Sequence, residues 1–92
     1  MEYEVIHNEL SHRFEAKFEK YMAVVEYRDR GDHWTVVHTF VPPHLEGRGI
    51  AAVLTKTLLD FARENGIKVR PLCPYTVSYV KRHPEYNDTL FE

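Results

Sequence analysis

Ninety-two residues make one small domain, with chain enough for a single core and not for two. Hydrophobic residues at 43% and aromatics at 13% are ordinary for a folded globular chain and argue against disorder. A formal net charge of −2 offers no general attraction to nucleic acid or to an anionic membrane.

In chain order, Tyr3 to His7 reads as a short first strand ahead of the turn sequence NELS. Phe14, Ala16 and Phe18 then alternate with Arg13, Glu15, Lys17 and Glu19, the period-2 pattern of a half-exposed strand. The charged side of that RFEAKFEK run reads as the solvated face of an edge strand. Tyr21 to Arg28 is richer in β-branched and aromatic residues, as a more buried strand would be. DRGD supplies a turn, and Trp34 to Val41 a further strand, so that the first forty residues form an antiparallel meander. Pro42–Pro43 changes the pattern. From Ile50, apolar residues fall at Ile50, Val53, Leu54, Leu58, Phe61 and Ala62, which is helical spacing, and ENG ends the run. Ile67 to Leu72 reads as a short strand, and Thr76 to Arg82 as a last helix halted before Pro84.

Strand, helix, strand implies a right-handed crossover that sets Trp34–Val41 and Ile67–Leu72 parallel in one sheet. The predicted class is α+β: a mostly antiparallel sheet of about five strands, one crossover helix and a short C-terminal helix. Residues 1–92 read as one domain, because PP at 42–43 and RGDH at 30–33 mark turns inside it. No apolar run is long enough for a membrane span, and MEYEVIHNEL is too acidic and polar for a secretory signal. The single cysteine, Cys73, has no internal partner and fits a reducing compartment, so a cytoplasmic location is expected.

HLEGRGIAAVL, residues 44–54, places Gly47 and Gly49 at the mouth of the long helix. A helix N-terminus carries unpaired amides and positive dipole charge, and glycines let an anion approach the backbone. On spacing alone, a phosphate cradle and a simple tight turn are equally good readings. The stretch lacks both the Gly-Lys-Ser/Thr ending of a P-loop and the third glycine of a dinucleotide fingerprint. Histidines at 7, 12, 33, 38, 44 and 83 show no metal-ligand spacing, and no metal site is expected.

Strand, EGRGIA, amphipathic helix and strand together resemble the GNAT superfamily of acetyl-CoA-dependent N-acetyltransferases. The loop motif of that family is Gln/Arg-x-x-Gly-x-Gly/Ala. Glu46, Gly49 and Ala51 occupy its positions, and Glu46 departs from it. NELSHRFEA, VVEYR, VVHTFVPPHLEGRGIA, LDFARENGIKVRPLCPY and HPEY extend the resemblance to a compact branch, the GNAT domain-containing protein 1 type. The resemblance implies a minimal GNAT fold that holds acetyl-CoA between the splayed ends of Trp34–Val41 and Ile67–Leu72. It implies that the pyrophosphate rests on amides of Gly47, Arg48, Gly49, Ile50 and Ala51, next to Glu46, and that the pantetheine arm pairs with Thr39, Phe40 and Val41. The acetyl end would then reach Cys73 and the CPYTVSY segment.

Two residues are catalytic candidates on that frame. Cys73 could accept the acetyl group transiently or simply line the cofactor, and free cysteines are usually small buried hydrophobes. His38 could take the proton of the attacking amine, or be an ordinary strand residue. Tyr75 and Tyr79 lie four apart and read as cofactor lining, with a phenol available to the leaving thiolate. His83 and Tyr86 read as fixing the C-terminal turn. The expected activity is acetyl transfer from acetyl-CoA to an amine acceptor, a small molecule or a protein, with a homodimer an open possibility. The alternative is a catalytically weak CoA-binding or protein-interaction module.

Overall fold

The computed structural model describes residues 3–92. Its sheet has five strands in the order β1 (Val5–Asn8), β2 (Arg13–Phe18), β3 (Tyr21–Asp29), β4 (Trp34–Phe40) and β5 (Val69–Pro71). The first four are antiparallel neighbours, and β5 runs parallel to β4 after the crossover helix α1 (Ile50–Glu64). A second helix, α2 (Pro74–Arg82), follows β5 directly. Short 3-10 helices at Pro43–Leu45 and Pro84–Thr89 complete the chain. The α+β class and the strand–helix–strand crossover are therefore as expected.

One face of the sheet carries the core. Phe14, Ala16, Ala23, Val25, Tyr27, Trp34 and Val36 point toward Leu54, Leu58, Leu59 and Ala62 of α1, in a single buried cluster that also takes in Tyr79, Val80 and Tyr86. Burying each of the α1 leucines is worth about 1.5–3 kcal/mol. The alternation that sends those residues inward sends Glu15 and Glu26 to the far face, and an irregularity in the β3–β4 register brings His38 there as the partner of Glu26. Among the described residues, no helix is long and apolar enough to cross a membrane.

Several local expectations are corrected. RFEAKFEK is not an edge strand: β1 pairs along one side of β2 and β3 along the other. Its charged side is not simply solvated either, because Glu15 is only 7% exposed. Arg13 donates to its carboxylate at 2.6 Å and Asn8 at 3.0 Å, which is how a charge survives under neighbouring side chains. The fifth strand is three residues instead of six. Ile67 is taken by the helix end, where its N–H donates to the Ala62 carbonyl at 2.8 Å, and Pro71 and Pro74 have no N–H for a ladder. The last helix starts earlier than expected, since Pro74 sits at its first position, where a fixed φ suits a helix and no donor is missed. Val53 is 41% exposed despite its helical spacing.

Candidate functional site

The sheet opens at one place. Glu26 faces His38 and Tyr27 faces Val36, so Val37 has no partner on β3 and forms a bulge in the middle of β4. Bulges bend a strand and raise its local twist. On the other side of β4, pairing with β5 ends at Val36↔Pro71. The Val36 carbonyl accepts from both the Leu72 and the Cys73 amides, at 2.9 and 3.0 Å, and no ladder continues beyond it. Two strands that run parallel as far as Val36 thus part, leaving the β5 side of residues 37–41 without a strand neighbour among the described residues.

Helix α1 points its N-terminus into this gap. Gly49 is the residue before the helix, with φ at +77°, and Gly47 has φ at +82°. Left-handed backbone is costly for a residue with a Cβ, so the two glycines set the loop's course. No side chain caps the helix: its first internal bond runs from the Val53 N–H to the Gly49 carbonyl, at 3.1 Å. The amides of Ile50, Ala51 and Ala52 are therefore orphans of the helix, aligned with its positive dipole end. A cleft of about 360 Å³ lies against them, lined by Thr39 and Val41 of β4, by Leu45, Glu46, Gly47 and Gly49 of the loop, by Ile50–Ala52, and by Tyr75 of α2. Such a surface suits an anionic group held by backbone donors.

Cys73 lies behind Thr39, outside the cleft lining itself. It is the residue before α2 and is only 7% exposed. Its thiol donates to Thr39 Oγ1 at 3.5 Å, which ties the start of α2 to β4 across the gap. Burial pushes the thiol pKa up. The hydroxyl of Thr39 and the amides and hydroxyl at Tyr75 and Thr76 favour the thiolate more strongly, so that the net shift is downward.

The expected site residues thus fall into two sets. Thr39, Val41, Glu46, Gly47, Gly49, Ile50, Ala51 and Tyr75 share the cleft, with Cys73 behind Thr39. Arg48 is exposed and outside the lining, and Phe40 is 46% exposed on the far face of the sheet. His38 also lies on that far face and is exposed, adjacent in sequence to Thr39. Tyr79 is buried at 4% exposure in the core, its ring stacked on His83 at 4.1 Å. Tyr86 donates to Asp60 at 2.5 Å, holding the C-terminal turn on α1. Sequence reasoning missed Leu45 and Ala52 in the lining, and it missed Thr76. Thr76 follows Cys73 by three residues, the spacing that returns a side chain to the residue before a helix. A second hollow, of about 460 Å³, lies at the opposite end of the sheet over Trp34 and Phe61. Glu9, Asp29 and Asp32 line it, a poor setting for phosphates.

Comparison with known proteins identifies this arrangement. The sequence pattern of the GCN5-related N-acetyl-transferases matches residues 13–89, from the start of β2 to the last turn, and so includes every cleft residue. The chain belongs to the GCN5-related N-acetyltransferase family. Protein NATD1 of Gallus gallus and of Mus musculus are each 47% identical to it over 47 residues, and that of Danio rerio is 38% identical over 55. The 47-residue matches cover 51% of this chain, and the chain spans less than half of the length of those two relatives, 43%. The solution structure of a GCN5-like protein from Staphylococcus aureus superposes with a TM-score of 0.76 over 96% of this chain and 87% of its own, at 23% identity. That likeness establishes the GNAT fold. The parted strands and the uncapped helix are therefore features of a GNAT domain.

Proposed function

We propose that the cleft binds acetyl-CoA and that this GNAT domain transfers the acetyl group to an amine. One observation carries the reading: an uncapped helix N-terminus and a strand edge without a partner meet in the same hollow. The residues present fit the group. Glycine backbone and orphan amides at Gly47–Ala51 suit pyrophosphate oxygens, and the open edge at Thr39–Val41 suits the amide groups of a pantetheine arm. Bound acetyl-CoA supplies an activated thioester. Glu46, lining the loop, adds no attraction for phosphate, so the backbone does that work.

Thr39 and Cys73 stand at the acyl end. The amide hydrogens near Val41 would polarise the thioester carbonyl as negative charge develops on it. The acceptor would arrive from the far face of the sheet, where His38, or a water beside it, takes the proton of the amine. Direct transfer is the simpler route, since it needs no covalent intermediate and leaves the Cys73 thiol donating to Thr39. Intact-mass analysis after brief mixing with acetyl-CoA distinguishes the routes. Direct transfer predicts no acetyl-Cys73, and an acetylated Cys73 that disappears on adding amine would establish the covalent one. A reducing cytoplasm, where a lone thiol stays free, is the compartment this reading uses.

Thermal denaturation with acetyl-CoA, and separately with CoA, tests the binding. Ligand at about a hundred times its dissociation constant adds roughly 2.7 kcal/mol of stability. No shift with either ligand overturns the proposal. The bare far face, with Ile6 at 51% and Phe40 at 46% exposure, favours a second reading, a CoA-binding interaction module. A thermal shift without acetylation of any amine in a broad panel would select it.

A further inference from the structure

We propose that Cys73 is a disulfide-exchange site for the symmetric disulfide of CoA, through which one CoA becomes covalently locked in the cleft and excludes acetyl-CoA until it is reduced. The inference rests on the cleft being a CoA site. It goes further by assigning a covalent modification, and through it a redox control, to a thiol that direct acetyl transfer leaves unused.

Three observations converge on the sulfur. Cys73 precedes α2, whose first amides have no helical partner, and those of Tyr75 and Thr76 favour a negative charge on its thiol. Thr76 is wholly buried, at 0% exposure, and its Oγ1 has no hydrogen-bond partner among the described residues. A buried hydroxyl left without a partner is destabilising. Thr76 follows Cys73 by three residues, the spacing that returns a side chain to the residue before a helix, and its hydroxyl favours the thiolate, so ionising the thiol offers this orphan donor an acceptor. Lastly, the sulfur has cleft residues as neighbours. Thr39, which accepts from the thiol at 3.5 Å, and Tyr75 both line the hollow. An arm held along Thr39 would be brought to the sulfur, whereas a reagent from bulk solvent meets a residue that is only 7% exposed.

The chemistry needs no oxidant beyond the disulfide itself. The Cys73 thiolate attacks one sulfur of the CoA disulfide, the CoA S–S bond breaks, and a Cys73–CoA S–S bond forms. The second CoA leaves as a thiolate and takes up a proton from solvent, matching the one Cys73 gave up. A thiol reductant reverses the exchange and reopens the cleft.

The test mixes the reduced full chain with CoA disulfide, or with glutathione disulfide at the same concentration, and follows intact mass over time. The expected product is one added CoA moiety, removed by dithiothreitol and absent in Cys73→Ser. It should form roughly tenfold or more faster than the glutathione adduct, the gain from delivering a thiol at high effective concentration. No CoA adduct, or equal rates with both disulfides, overturns the inference. Calorimetric titration of the reduced chain with CoA in dithiothreitol separates the two proposals. Binding without exchange overturns this inference alone, and no binding overturns the CoA cleft as well. Thr76→Val keeps the buried shape and removes the hydroxyl, so slower exchange with CoA disulfide is expected. An unchanged rate overturns the part assigned to that hydroxyl.

Discussion

Gly49 reaches the start of α1 with φ at +77°, and a Cβ built there meets nothing within 4 Å. The cost of replacing it is therefore backbone strain alone. Gly49→Ala should lower stability by roughly 1–2 kcal/mol, read from the urea midpoint with an unchanged slope. A neutral substitution would mean that the loop can re-form with ordinary φ. Glu15 poses the opposite problem, a charge placed under cover. Burial raises its pKa, but the hydrogen bonds from Arg13 and Asn8 outweigh that and hold it below the ordinary carboxylate range. A carboxylate depressed in the folded state binds protons more readily when unfolded. Its stabilisation is full above the unfolded pKa, about 4.3, and is lost as pH falls through the lower folded value. Glu15→Gln should then cost about 1–3 kcal/mol at pH 7. The gap to the parent chain should close in denaturation curves taken below pH 4. A gap that stays constant with pH would show that Glu15 acts by shape and not by charge.

Among the elements, α1 matters twice: its apolar stripe closes the core and its N-terminus faces the cleft. Leu54 is 0% exposed in the middle of that stripe. Leu54→Ala should cost about 2–5 kcal/mol in urea denaturation, and a loss below 1 kcal/mol would mean that the core collapses around the space. This helix was also the most legible element, since fifteen residues repeat one spacing between a glycine loop and ENG. The meander was legible for the same reason, with period-2 alternation sustained along β2 and β3. Less legible was whatever depends on a neighbour far away in sequence. Nothing in RFEAKF says that β1 will cover its outer edge, so an interior strand read as an edge. Nothing in Val36–Val37–His38 marks Val37 as a bulge, which comes from mismatched pairing with Glu26 and Tyr27. The cleft residues of the loop were found because glycines at a helix mouth carry a local signal. The sheet face taken by His38 follows only once the bulge is known.

At the scale of the whole molecule, the domain is a five-stranded sheet with both helices serving one core and the far face left bare of helices among the described residues. The asymmetry divides the labour of the proposed reaction. One side, built from α1, the glycine loop and Tyr75, is for the acyl carrier, and the other, with His38 and Glu26, is open to an acceptor. The family and the fold follow from the match over residues 13–89 and from the superposition at a TM-score of 0.76. The location of the acyl carrier within that fold is the central claim. A nitrogen-15 correlation spectrum of the uniformly labelled chain, titrated with acetyl-CoA, tests it most directly. The account predicts saturable shifts concentrated in the amides of Gly47 to Ala52, Thr39 to Val41 and Cys73 to Thr76, with those of Gly31 to His33 at the opposite end unmoved. Shifts centred on that opposite end, or none at saturating ligand, would contradict it.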